Sequence, residues 1–328
     1  MKTFRVLLMT TSLIASSLLM SACSSSSDAS KSIDEDMQQR YAGCQIGAGG
    51  EDGPGQISGL QAQGIINGTL LREGSAIARS TVMLVSKSPD TSGVESTSTC
   101  TGVVIAPDLI LTAAHCVNLA QGLSPQERGA KTKVLASVDP LCAVIGHKRQ
   151  DILLDVRATI VHPRYSNYTK ENDFALLYMN ANMPAPYVPA RLALSNQTVT
   201  ANDTVYIAGY GRTTDVGQTD PDENRLRYGR LRVIDGDETY NLRGQTINSA
   251  ASSRFLILRN DETSSGCHGD SGGPAMVIGR DGRLSVVGIA SFVYNKNYGA
   301  FNCRSRLTYG RVSAHADWIR QNSNGRIR

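Results

Sequence analysis

Hydrophobic positions in most of this chain fall in short runs that are separated by turn residues, and no long helical periodicity interrupts them. The runs beyond Ser80 are rich in Val, Ile, Leu and Thr, and the clearest are 81–85, 102–106, 152–161, 205–208, 230–234, 255–258 and 284–291. Many short strands at such spacing predict an all-β barrel or sandwich. Abundant glycine and scarce aromatic residues favour the same class.

The last stretch of the chain has a different pattern. Residues 313–322 open with Ser313, a residue suited to capping a helix, and carry the apolar pair Trp318 and Ile319. This pattern predicts one closing helix at the C-terminus.

The N-terminus reads as an export signal, residues 1–22. Lys2 and Arg5 precede an apolar run over 6–20, which is shorter than the ~20 residues of a membrane span. Ser-Ala-Cys23 resembles the bacterial lipobox, in which the cysteine is lipidated and becomes the mature N-terminus; the alternative is ordinary cleavage that leaves Cys23 free. The expected location is the outer membrane or periplasm, with an extracellular one still open.

Residues 23–64 are polar and rich in serine and glycine, so they cannot bury a core. We therefore expect a lipid-anchored tether or propeptide there, with the lipid as the sole membrane attachment.

Charge and histidine spacing argue against other classes of ligand. The net charge of +4 falls to about +2 once Lys2 and Arg5 are removed, too little to indicate a nucleic-acid partner. The acidic stretch 215–224 lacks the ligand spacing of an EF-hand, and no His-Glu-x-x-His motif occurs. We expect no metal and no cofactor.

The richest chemistry lies in Gly-Cys-His-Gly-Asp-Ser-Gly-Gly-Pro, residues 266–274. Ser271 lies between glycines there, but a serine hydroxyl needs a nearby base and donors for the oxyanion it creates. His115, in Leu-Thr-Ala-Ala-His-Cys, is the candidate base, and Asp173, in Asn-Asp-Phe-Ala-Leu-Leu, is the candidate orienting carboxylate. The alternatives are a core histidine beside a disulfide and an ordinary turn aspartate.

Taken in the order His115, Asp173, Ser271, these motifs resemble the chymotrypsin/trypsin family of serine endopeptidases. Subtilisins and α/β-hydrolases place the same groups in other orders. The resemblance covers about 65–328 and implies two six-stranded antiparallel β-barrels, about 65–195 and 196–312, with a helix at 313–322 and the site between the barrels. It implies a monomeric enzyme that cleaves proteins or peptides through an acyl-enzyme. A binding or adhesion protein on a protease scaffold is the rival, which the complete set of site residues disfavours.

The resemblance also assigns supporting roles. The amides of Gly269 and Ser271 would form the oxyanion hole. Ile65 would become the mature N-terminus and pair with Asp270 after cleavage of the propeptide. Gly64, rather than Lys or Arg, precedes that bond, which argues against self-activation of a tryptic kind and leaves the identity of an activating protease open.

Seven cysteines are present, and Cys23 stands apart from the other six, which could form three bridges. The resemblance pairs Cys100 with Cys116 and Cys267 with Cys303. Cys44 and Cys142 remain, and their pairing would tie the propeptide to the catalytic domain.

Specificity follows from the same resemblance. Members that prefer Arg or Lys carry an aspartate where this chain has Ser265, and Ser291-Phe292-Val293 resembles the family's Ser-Trp-Gly beside the pocket. Val293 and Leu307 would narrow the pocket, and His268 would line the cleft next to substrate. The expected preference is for small apolar residues before the cut bond.

Overall fold

The structure is a computed structural model, and it describes residues 65–66, 68–71, 75–89, 95–118, 122–137, 151–194, 199–213, 225–234, 239–242, 245–248, 254–259, 264–279, 281–294, 303 and 306–328. The predicted signal peptide, the tether with Cys23 and Cys44, and the candidate bridge residue Cys142 lie outside the described residues. No helix in the described ranges has the length and hydrophobicity needed to cross a membrane.

The described elements are mostly strands, as the short hydrophobic runs predict. The strands are β1 (Thr69–Leu70), β2 (Thr81–Pro89), β3 (Glu95–Ala106), β4 (Leu109–Thr112), β5 (Thr132–Ser137), β6 (Asp151–Val161), β7 (Ala175–Met179), β8 (Arg191–Leu192), β9 (Thr204–Gly209), β10 (Arg227–Val233), β11 (Thr239–Leu242), β12 (Gln245–Asn248), β13 (Phe255–Arg259), β14 (Pro274–Ile278), β15 (Leu284–Tyr294) and β16 (Arg306–Arg311). Within the described ranges two short α-helices accompany them, α1 (Pro125–Ala130) and α2 (Ala316–Gln321).

Two closed barrels organise these strands, which confirms the predicted fold class. The first barrel has the order β2-β3-β4-β7-β6-β5 and closes through antiparallel pairing of β2 with β5. The second has the order β9-β10-β13-β16-β15-β14, and β14 pairs with β9 to close it. Each barrel is six-stranded and antiparallel.

Burial along the strands reflects the two-barrel packing. In β10, Arg230 and Arg232 are exposed while Leu231 and Val233 are buried, the alternation of a strand with one face in a core. All residues of β4 and β7 are buried instead. Strands buried on both faces read as continuous hydrophobic runs, and those two strands carry the histidine and aspartate motifs at their ends.

The two barrels do not separate along the chain as simply as the predicted ranges of 65–195 and 196–312. β1 pairs with β10, and β8 runs parallel to β15, so both ends of the first range join the second barrel. This exchange lays the segment from Ile65 across the second barrel, where Ile65 is fully buried.

The closing helix is present, but its start differs from the prediction. Ser313 lies inside a 3₁₀ turn over Ser313–His315, and no side-chain cap precedes this turn or α2, so the capping role of Ser313 was wrong. Ile319 is fully buried, and Trp318 packs against the core that contains the first barrel. The C-terminal segment therefore crosses from the second barrel to the first.

Candidate active site

The three candidate catalytic residues come from both barrels. His115 lies in a 3₁₀ turn, Ala114–Cys116, immediately after β4, and Asp173 precedes β7. Ser271 lies in the turn before β14 of the second barrel. Thr101 joins the two sides, because its backbone amide donates to the Ser271 carbonyl (2.8 Å) and its hydroxyl to the Gly269 carbonyl (2.9 Å).

Asp173 holds His115 at two points. The Nδ1 atom of His115 is 2.7 Å from Oδ2 of Asp173, and the backbone amide of His115 donates to Oδ1 at 2.9 Å. Because Nδ1 faces the carboxylate, Nε2 is the ring nitrogen left for proton exchange with another group. The His115 side chain is 22% exposed, so part of its ring faces solvent.

Ser291 supplies a third bond to the same carboxylate, its hydroxyl donating to Oδ2 of Asp173 at 2.5 Å. Asp173 is fully buried, and burial opposes its ionisation. Coulombic attraction to His115 and the hydrogen bonds that His115 and the Ser291 hydroxyl donate outweigh that cost and lower the pKa of Asp173 below its usual range. Asp173 is therefore held as a carboxylate.

The loop around Ser271 requires glycine at two places. Gly269 has φ of 97° and Gly272 has φ of 80°, in the left-handed region that favours glycine. A Cβ at Gly272 would lie 2.0 Å from the Thr112 hydroxyl. In the part of the chain that the structure describes, the amides of Gly269 and Ser271 donate to no protein acceptor. Both N–H groups of this turn thus remain open to a ligand atom.

Asp270 lies buried beside this turn, with only 3% of its surface exposed. Its Oδ1 accepts from the amide of Gly211 and its Oδ2 from the amide of Cys267, each at 2.8 Å. Burial raises the pKa of Asp270 to about 7, although the two amides lower it. Nearby, Ile66 exchanges two backbone hydrogen bonds with Ser265 at 2.8 and 3.0 Å.

Two disulfides lie at the site, Cys100–Cys116 and Cys267–Cys303. The first borders His115, whose Nε2 is 3.9 Å from the Cys116 sulfur. Cys100, His115 and Cys116 bring their donor atoms together, but the bridge consumes both thiolates that a zinc ion would need.

The family model described as Trypsin matches residues 66–319 of this chain. The chain belongs to the trypsin family. It is 30% identical over 234 residues to chymotrypsin-like elastase family member 3B of Macaca mulatta, covering 68% of this chain and 81% of that protein. It is also 30% identical to serine protease SP24D of Anopheles gambiae (67% and 70% covered) and 29% identical to proproteinase E of Bos taurus (67% and 82% covered). The protein is thus a trypsin-family serine endopeptidase.

Beside Ser271, this endopeptidase has a small pocket with a volume of about 30 Å³. Val293 and Leu307 line it and face each other in the pairing of β15 with β16. Leu307 also packs close to Gly266, where a Cβ would lie 3.1 Å from its methyl carbon. Side chains rather than open space therefore fill most of this region.

Two residues predicted to contact substrate adjoin the lining residues Gly266 and Cys267 in the chain without lining the small pocket themselves. Ser265 is 2% exposed, and its hydroxyl donates to the Cys303 carbonyl. His268 is exposed, and the amide of Arg212 donates to its carbonyl at 2.8 Å. Neither side chain is among the residues that line the pocket.

The sequence analysis missed two features of the site. Ser291 lies in the pocket lining with Phe292, as expected, but its hydroxyl also donates to Asp173, a contact that was not predicted. Phe174, which follows Asp173, was given no role, whereas its ring stacks on His315. Neither contact has a local sequence signal, because each joins segments more than 100 residues apart.

Proposed function

We propose that Ser271 is the nucleophile of this endopeptidase, with His115 as its general base and Asp173 orienting the imidazole. The observation that carries the proposal is the two-point attachment of His115 to a buried carboxylate, which fixes the tautomer with Nδ1 as donor. Complete triads of this kind activate a hydroxyl that is otherwise a poor nucleophile at neutral pH.

In this mechanism the Ser271 oxygen attacks the carbonyl carbon of the scissile bond while its proton passes to Nε2 of His115. The carbonyl oxygen becomes an oxyanion that accepts from the amides of Gly269 and Ser271. Nε2 then returns the proton to the leaving amine, the peptide bond breaks, and an acyl-enzyme remains. Water repeats the sequence and frees Ser271, while Asp173 stays ionised throughout.

Peptide hydrolysis by purified variants tests the triad. Ser271→Ala should abolish turnover, and Asp173→Asn should lower kcat about 10⁴-fold because it favours the wrong tautomer of His115. Ser313→Ala, on an exposed turn far along the chain, is the matched control and should keep wild-type kcat. Turnover by Ser271→Ala equal to that of the wild type would remove the assignment.

We further propose a preference for small apolar residues before the cut bond. The narrow pocket between Val293 and Leu307 supports it, and several relatives carry elastase in their names. Ser265 also offers no carboxylate to a cationic side chain. The ratio of kcat/KM for matched peptides ending in Ala and in Arg should favour Ala, and Val293→Gly should raise the rate for larger apolar residues. A clear advantage for Arg would overturn this proposal.

The N-terminal segment suggests export with a lipid at Cys23, or else simple release after residue 22. A palmitate analogue should label the wild type and not Cys23→Ser. Equal partition of both into the aqueous phase of a detergent separation would contradict the lipid anchor.

Activation is proposed to follow cleavage between Gly64 and Ile65. N-terminal sequencing of the active enzyme should begin at Ile65, and non-reducing electrophoresis should show whether a Cys44–Cys142 bridge retains the propeptide. A fully active enzyme that keeps residue 64 attached would contradict this switch.

A further inference from the structure

The ring of the residue after Asp173 is packed between two elements. Phe174 is fully buried, and its ring stacks on His315 with centroids 4.0 Å apart and planes at 23°. On β16, a Cβ at Gly310 would lie 2.5 Å from a ring carbon of Phe174. A first-barrel side chain thus fills a slot between a strand of the second barrel and the turn before α2.

His315 is itself fixed in place. Its Nδ1 lies 2.9 Å from the Arg311 carbonyl, so Nδ1–H donates, and its ring meets that of His162 edge-on at 5.6 Å. The His162 ring lies 4.9 Å from that of Trp318 on α2. The amide of His162 in turn donates to the Phe174 carbonyl at 2.9 Å, so Phe174 is held through its backbone as well.

Burial keeps the two imidazoles of this stack uncharged at neutral pH. Burial lowers the pKa of His315, and the positive charges of Arg254 and Arg164 lower it further. The hydrogen bond to the Arg311 carbonyl and the negative charge of Asp173 raise it, but by less. His162 faces this ring as well, and burial, His315 and Arg164 lower the pKa of His162 to about 4. Arg254 is partly neutralised by Glu171 at 3.6 Å. Both imidazoles are therefore neutral where the enzyme is expected to work.

The stack on His315 adds a side-chain anchor directly after Asp173, beside the backbone bond from His162. Asp173 leaves a turn in which Asn172 has φ of 53°, a left-handed conformation that costs energy outside glycine. Its carboxylate must meet the His115 ring and the Ser291 hydroxyl at 2.7 and 2.5 Å. A shift of Phe174 by a fraction of an ångström would lengthen both contacts.

We propose that His315 is a positioning residue for catalysis, acting through the stacked ring of Phe174 to fix Asp173 and hence the orientation of His115. The inference rests on the proposed triad. It concerns a residue that touches neither substrate nor the reacting atoms and that lies 142 positions beyond Asp173 in the chain.

Steady-state kinetics of purified variants, normalised to the active sites that a fluorophosphonate titrates, test the role. His315→Ala removes the ring and should lower kcat about tenfold or more with KM within about twofold. His315→Phe restores a flat ring and should keep kcat within about threefold. If His315→Ala does not fold, His315→Leu, which keeps apolar volume without a flat ring, should show the same loss. Ser313→Ala, on the same turn, is the control.

The pH profile of kcat/KM separates positioning from general stability. Weaker contact between Asp173 and His115 stabilises the imidazolium less, so the acidic midpoint of the profile should move to lower pH in His315→Ala. His315→Phe should leave that midpoint unchanged. A lower melting temperature with unchanged kcat and midpoint would mean that His315 is only structural, and the inference would be wrong.

A double-mutant cycle completes the test. In an Asp173→Asn background the carboxylate that His315 positions is gone, so adding His315→Ala should cause no further loss of kcat. The same fold-loss in both backgrounds would refute the inference and leave the triad intact. Wild-type kcat in Asp173→Asn alone would refute the triad, and the inference with it.

Discussion

The buried carboxyl of Asp270 makes a strong prediction about the precursor. In a chain that still carries residues before Ile65, no new amino group is available to pair with this carboxylate. Replacing Asp270 by Asn keeps the shape of the side chain and removes its ionisation. The comparison uses precursors that also carry Ser271→Ala, so that neither protein can cleave itself.

The magnitude follows from the pKa of Asp270, which burial raises from 3.8 to about 7. Between these values the folded precursor keeps a proton that the unfolded chain has lost, so stability falls as pH rises through this window. The full difference is about 4 kcal/mol, since one pKa unit corresponds to about 1.4 kcal/mol. The Asp270→Asn substitution also deprives one of two buried amides of its acceptor, a cost of about 1–3 kcal/mol that does not change with pH.

Urea unfolding at intervals between pH 4 and pH 7.5 measures the effect. The free energy of unfolding of the precursor that retains Asp270 should decline across this range relative to that of the Asp270→Asn precursor. After cleavage before Ile65 the relative decline should disappear, because in the proposed switch the new ammonium pairs with the carboxylate and stabilises its charge. Parallel curves for the two precursors would refute the reasoning.

Two further predictions concern stability and loop geometry. Arg326→Ala should lower the free energy of unfolding by about 1–3 kcal/mol, because Arg326 makes two 2.6 Å hydrogen bonds to a half-buried Asp108. Lys133→Ala breaks an exposed ion pair and should lower it by less than about 1 kcal/mol. Equal losses for the two variants in urea titrations would contradict the argument. Gly272→Ala should abolish peptide hydrolysis, because the new Cβ collides with the Thr112 hydroxyl. Gly282 has a similar φ of 72° but open space around it, so Gly282→Ala should lower the free energy of unfolding by only about 1–2 kcal/mol and keep activity. Wild-type turnover by Gly272→Ala would be inconsistent with this loop geometry.

Much of the fold was predictable because most of the longer strands coincide with a local run of hydrophobic residues in the sequence. The run 255–258 became β13, Phe255–Arg259, and 284–291 became the first part of β15, Leu284–Tyr294. The barrel boundaries were less predictable, since β1 and β8 are two-residue strands whose pairing depends on partners far along the chain. Short strands leave almost no periodicity to read.

The candidate site divides in the same way. His115 and Ser271 each lie in a short continuous sequence motif, so resemblance to a family was enough to identify them as candidate catalytic residues. The Ser291 hydroxyl on Asp173 and the His315 ring on Phe174 arise only when distant segments pack together. The expected cap at Ser313 failed because the chain forms a 3₁₀ turn there before α2 begins.

Covalent labelling tests the central claim, catalysis through Ser271, most directly. The processed protein is treated with a serine-reactive fluorophosphonate, digested and mapped by mass spectrometry, beside Ser271→Ala and Ser313→Ala. One adduct per chain on Ser271, present in Ser313→Ala and lost in Ser271→Ala, is the predicted result. Two results would contradict the claim. One is an adduct that still forms in Ser271→Ala, and the other is a wild-type protein that the reagent inactivates without modifying Ser271.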